Sequence, residues 1–235
     1  MIDGASEPRT LAVDIGGSGI KMLTLDAKGE PLNKRDREET PAEPTPAVVL
    51  DLLCQMASRQ DRFDRVSVGF PGVVVDGVTL TAVNLHPDWI GFPLRDELER
   101  RLEKPVRTAN DADVQGLGSV EGKGVELMLT LGTGIGSALF MDGRLVPNLE
   151  LGHHPFQKDR TYEERLGDAA LRARGPERWN KRLAQAIELL GRIFNYRILY
   201  LGGGNAKKID FELLPNVRRV PNVGGLLGGI ALWRD

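Results

Sequence analysis

The sequence predicts an α/β fold made of two similar halves around a cleft, and three observations support this. An apolar strand, a short glycine-rich turn and a second apolar strand occur at 11–25, "LAVDIGGSGIKMLTL", and the same build returns around "LTLGTGIGSALFM" at 129–141. Each pair is followed by mixed helical and strand-like patterning, the order expected of α/β units. The 235 residues suffice for one large domain or two small ones, each with its own core. The expected division is 1–108 and 109–235, with the last helix able to pack back on the first half.

Taken in order, residues 10–26 read as two strands around "GGSG", and 29–46, polar and proline-rich, as a loop. Apolar positions at helical spacing over 46–60 predict a helix. "DRVSVGFPG" is a strand ending in a turn, and "DWIGFPLRDELERRLEK" holds a helix with Pro93 suited to its first turn. "PVRTAN" is a short strand and "DADVQGLGSVEG" starts a helix. The strand pair around "GTGIG" and the short strand "RLVP" follow, then two helices near 161–174 and 176–195. "RILYLGGGN" is a strand running into a third glycine turn, and "VGGLLGGIALW" a closing helix whose glycines permit close packing.

The net charge of −2 gives no global reason to expect a nucleic-acid partner. Cys54, the only cysteine, lies in an apolar helical run and reads as a buried thiol; alone, it excludes an internal disulfide and a multi-cysteine zinc cage. The first ten residues, "MIDGASEPRT", resemble neither a signal nor a transit peptide. No apolar run approaches the ~20 residues needed to cross a bilayer. The expectation is a soluble cytoplasmic protein with no membrane partner.

A short glycine-dense turn lets backbone N–H groups converge on an anion, because glycine reaches positive φ and allows close approach. "DIGGSG" adds Asp14 at a strand end, where a carboxylate can hold magnesium. Ser18 offers a hydroxyl to phosphate and Lys21 a compensating charge. A tight hairpin is the plain alternative for either turn, but two in matching positions, with "LGGGNAKK" as a third, favour phosphate binding. There is no G-x-x-x-x-G-K-[ST], and "GTGIGS" fails G-x-G-x-x-G because Ser137 stands at its last position. One turn per half would grip a phosphate chain in the cleft, and closure would exclude water.

"RTANDADVQGLG" places Asn110 and Asp111 at a strand-to-helix junction. A carboxylate there could take the proton of an attacking hydroxyl, or simply cap the helix. Asp113 reads as an ordinary first-turn acid. "NLELGHHPF" groups Glu150, His153 and His154, and Glu150 with His153 could hydrogen-bond two hydroxyls of one polyol. "TAVNLHPDWIG" puts Asn84, His86 and Trp89 in one loop, with ligand contact open for Asn84 and structural packing favoured for His86 and Trp89.

Together "DIGGSGIK", "GFPGVV", "NDAD", "LGTGIGSAL" and "ELGHHPF" resemble the ROK family of bacterial sugar kinases, in the family's order and over about residues 10–233. The resemblance implies the actin-like ATPase (ribonuclease H-like) fold. Most members carry a cysteine-rich zinc motif after E-x-G-H, whereas this chain reads "FQKDRTYEERLGDAAL" there, so no zinc is expected. "AVNLHPDWIG", "TYEERLG", "RWNKRL" and "YLGGGNAKKI" resemble a zinc-free branch that phosphorylates glucose from inorganic polyphosphate.

By position, the resemblance makes Asp111 the catalytic base for the sugar 6-hydroxyl, and Asn84, Asn110, Glu150, His153 and Glu163 the sugar contacts; Glu164 competes with Glu163 in that alignment. Asp14, Gly16, Gly17, Ser18 and Lys21 match the first phosphate loop, Gly132, Thr133 and Gly134 the second, and Gly203, Gly204 and Asn205 the place where ATP-using relatives hold the nucleotide. The expected reaction is in-line phosphoryl transfer to glucose from polyphosphate or ATP with Mg2+, by a homodimer. Lys207 with Lys208, Arg218 with Arg219, or Lys104 with Arg107 could line a basic track for a polymer donor.

Three rivals remain. One is a kinase specific for ATP or for another hexose. A sugar-sensing repressor would need an N-terminal DNA-binding domain, for which about nine residues leave no room. An actin-like structural ATPase fits poorly with the E-x-G-H cluster.

Overall fold

The structure, a computed structural model, describes residues 7–82, 85–221 and 224–234. The chain divides into two units, residues 1–114 with 225–235 and residues 115–224.

In the first unit β1 (Thr10–Ile15) lies at the centre of a five-stranded sheet. It pairs antiparallel with β2 (Ile20–Leu25), which pairs with β3 (Asp36–Glu38). On its other side it runs parallel to β4 (Arg65–Phe70), which runs parallel to β7 (Val106–Asn110). A small hairpin, β5 (Val74–Val75) and β6 (Val78–Thr79), follows β4. The strand period of two sorts the side chains. Leu11, Val13 and Ile15 enter one core with Val49, Leu50 and Leu53 of α1 (Pro46–Ala57) and Leu94 and Leu98 of α2 (Leu94–Leu102), while Ala12 faces Leu226 in a separate cluster. Each fully buried aliphatic side chain contributes about 1.5–3 kcal/mol.

α3 (Asp111–Leu117) leads into the second unit, whose sheet repeats the first strand for strand. β8 (Val125–Leu131) pairs antiparallel with β9 (Ile135–Met141), and β9 with β10 (Arg144–Val146). On the other side β8 runs parallel to β13 (Ile198–Gly202), and β13 to β14 (Val217–Arg219). Between them come the hairpin β11 (Pro155–Gln157) and β12 (Arg160–Thr161), the short α4 (Tyr162–Leu166) and the long α5 (Asp168–Phe194). Leu127, Leu129 and Leu131 pack with Trp179, Leu183 and Leu190 of α5. Met128 packs on the opposite face with Phe140 and Tyr200. No described helix is long and apolar enough to cross a membrane.

Several expected details shift. The unit boundary falls after Val114, because β7 completes the first sheet and Asp111 follows it directly. The 29–46 loop contains β3, held by pairing with Ile20–Met22. Pro93 stands at the N-cap position of α2, outside its first turn, and makes no side-chain capping bond. The expected break between two helices falls at Gly175, at φ 76° with Pro176 next, and a further break falls at Gly167. The closing segment is α6 (Gly224–Leu227) followed by a 3-10 turn, Gly228–Trp233. Its Gly229 lies where a Cβ would stand 3.1 Å from the Ser67 Cβ and 3.2 Å from that of Ala12, the close packing its glycines permit. Cys54 is half-buried rather than buried, beside Arg101.

Candidate active site

The first glycine turn, Gly16–Gly19, joins β1 to β2. The register sets Asp14 opposite Lys21, and their ion pair closes at 2.7 Å with both side chains half-buried. Gly16 N–H donates to the Gly19 carbonyl at 3.1 Å, and the Gly16 carbonyl accepts from Thr40 Oγ1 at 2.5 Å. A Cβ on Gly16 would stand 2.8 Å from the Gly19 oxygen, so this glycine is required for space. None of the glycines at 16–19 or 132–134 has positive φ, contrary to the conformational reason the sequence suggested; only Gly203, in the third run, does. Gly17 and Ser18 are exposed at the tip.

Asn110 ends β7 and is buried. Its Oδ1 accepts from Ala112 N–H at 2.8 Å, and its Nδ2 donates to the Gly72 carbonyl at 3.1 Å. The junction that the cap fixes is the one that presents Asp111. Gly69 on β4 lies beside this junction, where a Cβ would come into van der Waals contact with the Asp111 Cα at 3.4 Å. Asp113 is buried rather than a solvated first-turn acid. Asn84 lies outside the described residues. Trp89 is fully buried, tilted against Phe70 at 5.1 Å, with its indole N–H on the Pro44 carbonyl at 2.8 Å; it is a core residue. His86 caps a short turn by accepting from Asp88 N–H.

The second unit gathers the remaining candidates around the turn Gly132–Gly134. Gly132 N–H donates to the Gly134 carbonyl at 3.0 Å, and Thr133 is exposed at the tip. The start of α5 is fastened to this turn, its Asp168 N–H donating to the carbonyls of Gly132 at 3.0 Å and Thr133 at 3.3 Å. Glu163, on α4, accepts from Ile135 N–H at 3.2 Å. Glu164 instead completes a capping box with Thr161 and meets Arg160 at 3.5 Å. The two neighbours therefore have different work, and Glu163 is the one at the turn.

Glu150 and His153 flank the 3-10 turn Leu151–His153, their carboxylate and imidazole 3.3 Å apart. Gly152 between them is required, because a Cβ would run into the Ile135 carbonyl. Burial raises the Glu150 pKa, His153 opposes this and Glu163 adds to it. Glu150, His153, Glu163 and the second glycine turn thus form one neighbourhood. His154 turns away, its Nδ1 beside the Pro155 carbonyl.

The third run joins them. Gly203 has φ 82° and leaves no room for a Cβ against the Leu131 backbone, and Asn205 Nδ2 donates to the Gly132 carbonyl at 3.3 Å. At Gly132 and Gly204, by contrast, a Cβ would meet nothing within 4 Å, so packing within the protein does not explain either glycine. Sequence reasoning did not foresee the supports. Trp179 donates to the Leu166 carbonyl at 2.6 Å, and Asn180 to those of Pro176 and Lys208 at 3.0 Å each. Both lie in "RWNKRL", which carried a likeness but no mechanism. Of the expected basic track, Arg218 is paired with Glu121, and Arg107 lies over the Trp233 ring at 4.7 Å; Lys207 and Lys208 are exposed.

Two sheets of one topology, each with a glycine turn between its central strands, define the actin-like, ribonuclease H-like ATPase fold. Residues 10–164 match the ROK family, to which the chain belongs. A polyphosphate glucokinase of Mycobacterium leprae (strain TN) is 32% identical over 242 residues, covering 96% of this chain and 72% of the relative. One from Mycobacterium tuberculosis (strain ATCC 25618 / H37Rv) is 34% identical, covering 93% of this chain and 86% of the relative. The crystal structure of an inorganic polyphosphate/ATP-glucomannokinase from Arthrobacter sp. strain KM superposes with a TM-score of 0.85 at 34% identity, over 97% of this chain and 100% of the other.

Proposed function

We propose that this chain is a sugar kinase that transfers the terminal phosphoryl group of inorganic polyphosphate to the 6-hydroxyl of glucose. The observation that carries the reading is the meeting of Glu150, His153 and Glu163 at the second glycine turn, polyol-type donors and acceptors beside a phosphate-type loop. The polymer donor is supported by relatives of that name at 32% and 34% identity.

In this reading Asp111 accepts the proton of the glucose 6-hydroxyl as its oxygen attacks the terminal phosphorus in line. The phosphorus–oxygen bond to the next phosphate breaks, and a polymer one unit shorter leaves. Asn110 fixes the strand-to-helix junction that presents Asp111 and contacts the sugar. Glu150, His153 and Glu163 hold the other hydroxyls. N–H groups of the two turns, with Ser18 and Lys21, receive the phosphates. Asp14 suits magnesium as a single carboxylate donor, with Oδ2 engaged by Lys21 and Oδ1 left to bind the ion. Bound there, magnesium would neutralise charge on the phosphates.

ATP as an alternative donor and mannose as an alternative acceptor are favoured by the name of the Arthrobacter relative. The family resemblance supports a cytoplasmic homodimer. The deciding experiment measures glucose 6-phosphate formation with polyphosphate or ATP, glucose and magnesium, using Asp111→Asn as control. Turnover with polyphosphate that the control abolishes supports the reading. Turnover with ATP alone removes the polymer donor, and none with any hexose overturns the kinase assignment.

A further inference from the structure

The β11–β12 hairpin and the first half of α5 carry a basic surface that the proposed reaction does not use. Arg160, Arg165, Arg174 and Arg182 line a depression of about 240 Å³. Lys158, Arg165, Arg178, Lys181 and Arg182 line another of about 310 Å³. Arg165 and Arg182 belong to both, so the two depressions adjoin at these side chains and together make one basic groove-like surface within the second unit.

Its charge is unbalanced. Arg160 pairs with Glu164 and Lys181 with Glu177, but among the described residues Arg165, Arg174, Arg178 and Arg182 have no carboxylate at ion-pair distance. Two are nonetheless held in place. Arg165 donates through Nε and Nη2 to the Gln157 carbonyl at 3.2 and 3.1 Å, and Arg182 Nη1 donates to the Arg165 carbonyl at 3.5 Å. These bonds orient the guanidiniums without neutralising them. Burial, then Arg165, Arg174 and Arg178, lower the Arg182 pKa, the sign of repulsion that a bound anion would relieve. Guanidinium matches phosphate oxygens in bidentate geometry.

Position and lining say which anion. α5 begins at Asp168, which is bonded to the second glycine turn, and Arg174 lies six residues on, ~9 Å along the helix. The other lining residues are alanine, glutamine and glutamate, and no aromatic ring offers the stacking platform that single-stranded nucleic acid uses.

We infer that this groove binds the body of a long inorganic polyphosphate chain, away from the end that reacts. The inference rests on the donor reading above and deepens it. The probes are long-chain polyphosphate, tripolyphosphate and ATP, and the variant is Arg174→Ala with Arg178→Ala, both exposed and without ion pairs. The expected result is a KM for long-chain polyphosphate raised roughly tenfold, as for two lost surface contacts, with kcat and the constants for tripolyphosphate and ATP unchanged. The slope of log affinity against log salt should flatten by about 0.7 for each lost contact. Arg174→Lys with Arg178→Lys, which keeps the charge but not the bidentate geometry, should restore the salt slope and only part of the affinity.

An unchanged KM and salt slope in the alanine variant overturns the inference, as does an equal loss with tripolyphosphate or ATP. Single-stranded RNA competing as well as polyphosphate at equal charge would overturn it in favour of a nucleic-acid surface. Equilibrium binding of fluorescent long-chain polyphosphate without glucose separates this inference from the donor reading. If wild type forms no glucose 6-phosphate from polyphosphate, the donor reading fails; binding lost in the variant still supports the groove, and binding retained overturns it.

Discussion

Asn110 caps α3, the plain reading of its sequence position, and in doing so fixes the junction at which Asp111 stands. Asp111→Asn should leave the fold intact and lower kcat roughly 10²–10⁴-fold, read from steady-state rates beside an unchanged melting curve. Glu150 gives a pH signature. Its carboxyl is raised above 4.5 by burial first, so the folded state holds this proton more tightly than the unfolded chain does. Stability from this group is therefore full below the ordinary glutamate range and declines as pH rises through the raised value. Glu150→Gln should flatten that decline in melts across pH. In the wild type, the KM for glucose should begin to rise on acidification at a pH above 4.5, as the accepting carboxylate is lost.

Two glycines separate packing from binding. Gly203→Ala forces a Cβ into the Leu131 backbone at φ 82° and should cost more than ~1 kcal/mol in denaturant unfolding. Gly132→Ala should fold normally and raise the KM for the phosphate donor. Equal effects of the two on stability would refute the distinction. The glycine runs were legible as sequence; their separate reasons were not, because those depend on which backbone passes beside each one.

At the scale of elements, the hairpins around both turns were legible because apolar alternation and glycine act locally. β3, β5, β6 and β14 were not: each is two or three residues long and exists through its partner, as Val217–Arg219 does against Leu199–Leu201. Glu126 was also missed, since a charged residue inside a strand gives no hint of its partners. It is fully buried, and accepts from the N–H groups of Glu121, Gly122 and Lys123 and from Tyr200 Oη at 2.7–3.0 Å. Burial opposes its ionisation, but these bonds outweigh it and lower its pKa, while Tyr200 is raised. Glu126→Gln should cost about 2 kcal/mol in urea unfolding. The sign follows from the lowered pKa: this stability is present above the unfolded glutamate value and is lost as pH falls through the folded one.

For the molecule as a whole, the repeat was legible from its two glycine turns, and the structure extends it to the order and direction of all five strands in each main sheet. The position of the chain's last residues was harder to read, because their partners lie far away in sequence. Ser67 donates to the Gly229 carbonyl at 2.6 Å and accepts from the Trp233 indole at 2.8 Å, and the guanidiniums of Arg65 and Arg107 each lie over that ring, at 5.0 and 4.7 Å from its centre. Trp233→Ala should lower stability in urea unfolding by about 2 kcal/mol, less than for a fully buried tryptophan.

That return of the chain has a consequence for biosynthesis. Residues 115–224 leave the ribosome before 225–235, so the second unit has its whole sequence while the first still lacks the segment against Ala12 and Ser67. The part made first is thus finished last. Until then Ala12, Leu23 and Leu25 have no cover from Leu226, and a nascent chain stalled before residue 225 would show chaperones and proteases an apolar strip that the finished protein hides.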